Sequence, residues 1–399
     1  MNRFLLKYFL VLIPFFSTLI SKSQNEAAKW YFGNMAGLDF MNNPPAILSN
    51  GAMFTIEGCA SVANAAGSLL FYTDGMTVWN QSHQIMANGT GLFGTGSSSQ
   101  SCLIVKQPGS ATLYYIFTMQ GVGGANGLNY SVVDISLASG QGSVTVKNAS
   151  LYSAPCGEKL TGTKHCNGTD FWIVCREWPQ NNNSPRNFRA YQLTSAGVNT
   201  VAVVSPSNFM FQNNYWYDYG CMKISPAGTK LGLANYNSWY NNQGASFELY
   251  DFNNSTGVIS NSLALYTPTN QNYWNGGYGC EFSPDGTKFY GAHWGNYLNQ
   301  NQMYQWNLCA GTPSAVVNSS VAIQTATGNI GSLQLAPDGK IYVARSSSQA
   351  LGVIQSPNIT GTLCNYVDAA QSVSPRLVLW GLPNFITSTF FQPPPLPPF

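Results

Sequence analysis

His293 and Trp294 close the stretch FSPDGTKFYGAHW (282–294) and open HWGNYLNQNQ (293–302), where flat rings alternate with side-chain amides. Three further stretches share that mixture: QNNYWYDYG (212–220), NYNSWYNNQG (235–244) and NQNYWNGGYG (270–279). Such rings stack on the apolar faces of sugars while Asn and Gln bond hydroxyls, and similar surfaces serve protein contacts. Tyr215, Trp216, Tyr217, Trp239, Tyr240, Tyr273, Trp274, His293 and Trp294 are therefore the candidate residues for a glycan or protein ligand. A second constellation is charged: Glu57, Glu158, Lys159, Arg176, Glu177, Asp218 and Arg345. A sialidase-like enzyme clamps a carboxylate with arginines and assists hydrolysis with an acid, so these residues make a hydrolase or lyase the alternative. The plainer readings are packing between loops for the rings and a charge-neutralised channel mouth for the ions. His83, His165 and His293 are far apart and no cysteine pair has CxxC spacing, so neither metal nor cofactor is expected.

The elements that must position these residues are repeated. The turn in SPDGTK recurs in SPAGTK around Gly228 and APDGK around Gly339, with looser versions around Gly67, Gly109 and Gly168. Each lies between two short strand-like runs, and a third strand, a turn and a fourth strand follow. Four strands per unit at this spacing is the signature of a β-propeller blade. Asp285 and Asp338 occupy turn positions that Asp and Gly favour, and Ala227 stands at the matching place in the copy around Gly228. A turn tolerates that exchange, whereas a catalytic carboxylate does not. Six copies lie between residues 57 and 370; a seventh blade is expected from residues near 30–48 and 380–391, which together would close the ring without free sheet edges. The fold expected is all-β, a seven-bladed propeller over 24–391. In it, the loops before first strands and after second strands share one face, and the aromatic and charged candidates fall on that face.

Residues 1–23 read as a secretory signal peptide, with Arg3 and Lys7 flanking an apolar run, and residues 392–399 as a Pro-rich tail or linker. Without the peptide, 14 basic residues face 15 acidic ones, a charge of −1 that gives nucleic acid no footprint. No later segment is long and apolar enough to span a bilayer, so the expected location is extracellular or on the outer cell surface. Of nine cysteines, Cys59, Cys102, Cys221 and Cys280 recur in first strands as small packing residues, and Cys309 with Cys364 is a candidate disulfide.

EGCASVANAAGSLLFYTDGMTVWN, EKLTGTKHCNGTDFWIV, GSLQLAPDGKIYVAR and GLPNFITS together resemble the N-terminal propeller-like regions of Bacteroidota surface proteins exported by the type IX, gliding-associated system. The turn motif alone is similar to many WD40-like and lactonase-like propellers. The resemblance implies an exported, non-enzymatic adhesin or scaffold, often with further modules and a C-terminal sorting domain; FFQPPPLPPF is then either the start of a linker in a fragment or the end of a chain released by another route.

Overall fold

The computed structural model describes residues 25–121, 124–153, 155–178, 186–207, 219–237, 246–266, 275–295, 301–325, 328–391 and 393. Residues 1–24, residues 394–399 and the candidates Tyr215, Trp216, Tyr217, Asp218, Trp239, Tyr240, Tyr273 and Trp274 lie outside the described residues.

The repeated turn forms for the reason its residues suggest. Gly286 takes φ +72°, open to glycine without strain, and its N–H bonds the Ser283 carbonyl at 2.9 Å. The Asp285 carboxylate accepts the Thr287 N–H at 3.0 Å and the Ser283 hydroxyl at 2.6 Å. Asp285 is thus spent on the turn, and Asp338 likewise accepts the Lys340 N–H and the Tyr342 hydroxyl.

The fold is all-β, small antiparallel sheets in a propeller arrangement. Hydrogen bonds group the strands into six sheets of three, eight, five, four, five and four strands. Five are of blade size, which corrects the expected seven. The merger of two repeats into the eight-stranded sheet accounts for the difference. Two consecutive repeats merge where their outermost strands, Ile85–Thr90 and Ser143–Tyr152, meet in parallel at Ala87 and Ser143. The N-terminal sheet, Lys29–Phe32, Ala36–Asp39 and Ala46–Leu48, has three strands and receives no fourth from the C-terminal segment. It is held by packing instead: Trp30, Phe32 and Leu38 share a core with Tyr342, Leu351 and Val353 of the last sheet.

The expected pairing of 380–391 with 30–48 is replaced by a different closure. Leu377 bridges Asn34, Val378 bridges Ser348, and the chain then runs along the axis of the ring. The Trp380 N–H bonds the Ile56 carbonyl and the Trp380 carbonyl accepts the Ser332 N–H, both at 2.8 Å. Asn384 donates to the Leu160 carbonyl at 2.8 Å and the Cys102 carbonyl at 3.3 Å, and accepts from Lys223 at 3.3 Å. Ser388 then accepts the Lys164 N–H at 2.8 Å, and Phe391 reaches Gly339 in a repeat turn. The segment therefore passes from the loop face to the turn face, touching the inner strands of successive sheets. Gly381 is required by this path, since a Cβ there would lie 1.7 Å from the Glu57 carbonyl oxygen.

Cys59, Cys102, Cys221 and Cys280 are buried, as packing requires. All nine cysteines are free, which corrects the Cys309–Cys364 disulfide: Cys364 is buried in the core while Cys309 is exposed. No described helix is long and apolar enough to cross a membrane.

Candidate functional site

A pocket of about 250 Å³ opens at the loop-face end of the axis, lined by Glu57, Ser97, Tyr219, Tyr236, Tyr278, Trp294 and Trp380. Its walls are built by glycine and by irregular strands. In NGGYG, a Cβ on Gly277 would lie 2.4 Å from the Ser246 carbonyl oxygen and one on Gly279 would lie 2.3 Å from that of Gly331. Only glycine lets the inner strand Asn275–Phe282 press that close to both neighbours. Its register with Lys288–Gly295 shifts between Gly277 and Gly279, so Tyr278 falls at a bulge, a device that re-aims a side chain. Glu158 falls in a similar register shift, between Cys156 and Leu160. The short strand Tyr236–Asn237 pairs with Gly276 and Asn275, which brings Tyr236 to the same rim.

The rings form a continuous arc. Tyr219 lies 6.3 Å from Tyr236, which stacks on Trp294 at 5.0 Å; Trp294 meets Trp380 edge-on at 5.0 Å, and Trp380 meets Tyr278 at 5.5 Å. The arc ends on an acid, because the Tyr278 hydroxyl donates to Glu57 Oε1 at 2.7 Å. Glu57 Oε2 is buried and has no hydrogen-bond partner among the described residues. Burial first, then repulsion from Glu158, push the Glu57 carboxyl up to about 8, against the lowering effect of Tyr278. The acid is therefore protonated at neutral pH. Glu158 Oε2 accepts both the N–H and the hydroxyl of Ser99 at 2.9 Å, and Lys159 donates to the Tyr219 carbonyl at 3.0 Å. Burial, then Glu158 and Glu57, raise the Tyr219 phenol to about 12, so it stays a neutral donor.

The structure thus joins one residue of each candidate set, Trp294 and Glu57, in one pocket, and separates others from it. His293 faces away from Trp294 along the strand and is buried edge-on to Tyr266 and Tyr304. Arg176 is fully buried, bonded to Asn235 at 3.1 Å and Ser207 at 3.1 Å and 3.7 Å from Glu248. Glu177 pairs with Arg189 at 2.6 Å, and Arg345 with Asp368 at 2.7 Å. Neither Arg176 nor Arg345 lines the pocket, so the arginine clamp is not formed. Tyr219, Tyr236 and Tyr278 lie within the aromatic stretches but were not singled out by type, and Trp380 was placed in a closing strand.

His293 carries a pH prediction. Burial lowers its imidazole from 6.5 to about 4. The unfolded chain therefore takes up a proton near pH 6.5 and the folded chain only near pH 4, so stability is lost as pH falls through that window. In urea titrations at pH 7 and 4.5, His293→Phe is expected to lose roughly 2 kcal/mol less on acidification than the parent. Equal losses would remove this histidine as the cause.

No family model matches the chain, and no curated protein is similar to it. Among solved structures it is similar to an oligogalacturonate lyase in complex with manganese, at 13% identity over 79% of this chain and 76% of that one, TM-score 0.40. Another is an oligogalacturonate lyase from Vibrio parahaemolyticus, at 11% identity over 86% and 79%, TM-score 0.39. A third is regucalcin, a calcium-binding protein from Agrobacterium tumefaciens, at 12% identity over 82% and 94%, TM-score 0.40.

Proposed function

We propose that the chain is an extracellular carbohydrate-active protein whose centre is the pocket around Glu57. The observation that carries this reading is a buried carboxyl, bonded to Tyr278 and raised to about 8 by burial, at the end of an arc of five aromatic rings. Trp294 and Trp380 offer faces for a sugar ring, and Glu57 is the proton donor to a glycosidic oxygen, the role a raised carboxyl pKa suits. Proton donation is then lost as pH rises past about 8, where Glu57 ionises.

The second reading is non-enzymatic binding of a glycan or protein on the same face, as in an exported Bacteroidota adhesin. It is favoured by Glu158, whose Oε2 accepts both the N–H and the hydroxyl of Ser99 and so serves the fold. A screen of polysaccharides for turnover, run beside a glycan array, separates the two. Turnover that falls at least 100-fold in Glu57→Gln while glycan binding persists supports the first reading. Binding that weakens in Trp380→Ala with no turnover in the parent supports the second, and a parent that neither binds nor cleaves any glycan overturns both.

A further inference from the structure

A second pocket, of about 330 Å³, lies on the turn face, beside the turns at Gly109 and Gly168 and against the lower part of the axial segment. Ile104, Phe385 and Ile386 supply an apolar floor, and Lys106, Lys164 and Glu26 supply the charges around it. Lys106 is exposed with its ammonium 5.9 Å from the Tyr114 ring centroid, and Lys164 is half-buried. Among the described residues neither ammonium has a carboxylate or a hydrogen-bond acceptor. Glu26 Oε2 is buried and has no hydrogen-bond donor among them. Two cations without an anion, an acceptor without a donor and an apolar floor in one cavity are complementary to a ligand that brings all three missing parts.

We propose that this pocket binds a short apolar zwitterion, an amino acid or a di- or tripeptide. Its carboxylate meets Lys106 and Lys164, its ammonium meets Glu26, and its side chains lie on Ile104, Phe385 and Ile386. Charge-assisted hydrogen bonds fix the two ends, and the cavity volume falls in the range of small-molecule sites. The site is distinct from the Glu57 pocket, which shares none of these residues.

Titration calorimetry of the purified full chain with leucine, dileucine and trileucine tests the assignment, the three lengths separating a free amino acid from a peptide. Saturable binding of at least one is expected, weakened tenfold or more by acetylating the amine or amidating the carboxylate of that same ligand. Lys106→Ala with Lys164→Ala is expected to reproduce the loss caused by amidation, and Glu26→Gln that caused by acetylation. Unchanged melting of these variants shows that the fold is intact, and the capped ligands test the charges without any substitution. Absence of saturable binding for all three ligands, or binding indifferent to both caps, overturns the proposal. Neither result bears on Glu57.

Discussion

A chain that stops at Arg376 is expected to lose its single cooperative unfolding transition. The removed residues tie several sheets together: Asn384 bonds inner strands at Cys102 and Leu160 and the ammonium of Lys223, while Ile386 and Phe390 enter two separate cores. Without them, the backbone groups of several inner strands face an unfilled axis, each buried unsatisfied group costing about 1–3 kcal/mol. A milder version keeps the segment and changes only its centre. Asn384→Leu is expected to cost on the order of 2–4 kcal/mol, from two orphaned carbonyls and a Lys223 left to Gln334 and Glu281. Circular dichroism melts and urea titrations read both. A truncated chain with the parent's transition would show that the sheets hold the ring unaided.

Arg176→Ala is expected to destabilise the protein by about 3–5 kcal/mol, because it removes one partner of a fully buried ionic network. The remaining Glu248 keeps bonds from Asn235 and the Tyr250 hydroxyl, both at 2.8 Å, but its fully buried carboxylate loses the guanidinium. Arg345→Ala is the control. Its pair with Asp368 is partly solvated, with side chains 15% and 16% exposed, and the expected loss is about 1 kcal/mol. Two arginines alike in sequence context thus separate by burial alone. Equal losses in urea titrations would refute that ranking.

The repeat turns and the inner, packing role of the first-strand cysteines were legible because each is decided locally, by Asp–Gly geometry and by small side chains in crowded strands. Trp294 and Glu57 were legible as members of the loop face, since strand direction assigns loops to faces. Their meeting was not, because it depends on Trp380, and Trp380 depends on a path that no local pattern encodes. WGLPNF has the composition of an inner strand, yet Asn384 finds its partners among inner-strand carbonyls and Lys223 rather than in one sheet edge. Sheet count was misjudged for a related reason. A single parallel contact between Ala87 and Ser143 joins two repeats, and periodicity carries no information about contacts between outer strands. His293 shows the limit of face assignment, since adjacent residues in a strand point oppositely and only one of the pair can join the pocket.

The axial segment also sets when the molecule can become whole. The bond from Asn384 to Cys102 closes a loop of 282 residues, so the contact that unites the inner strands forms only after all the strands before it have left the ribosome. Contacts of such sequence separation slow folding. Until then, the Glu57 pocket lacks Trp380, and the cavity beside Lys106 lacks Phe385 and Ile386. Ligand binding at either place would therefore report that residues 380–386 have been made and docked, and a nascent chain short of them would carry its sheets without its sites.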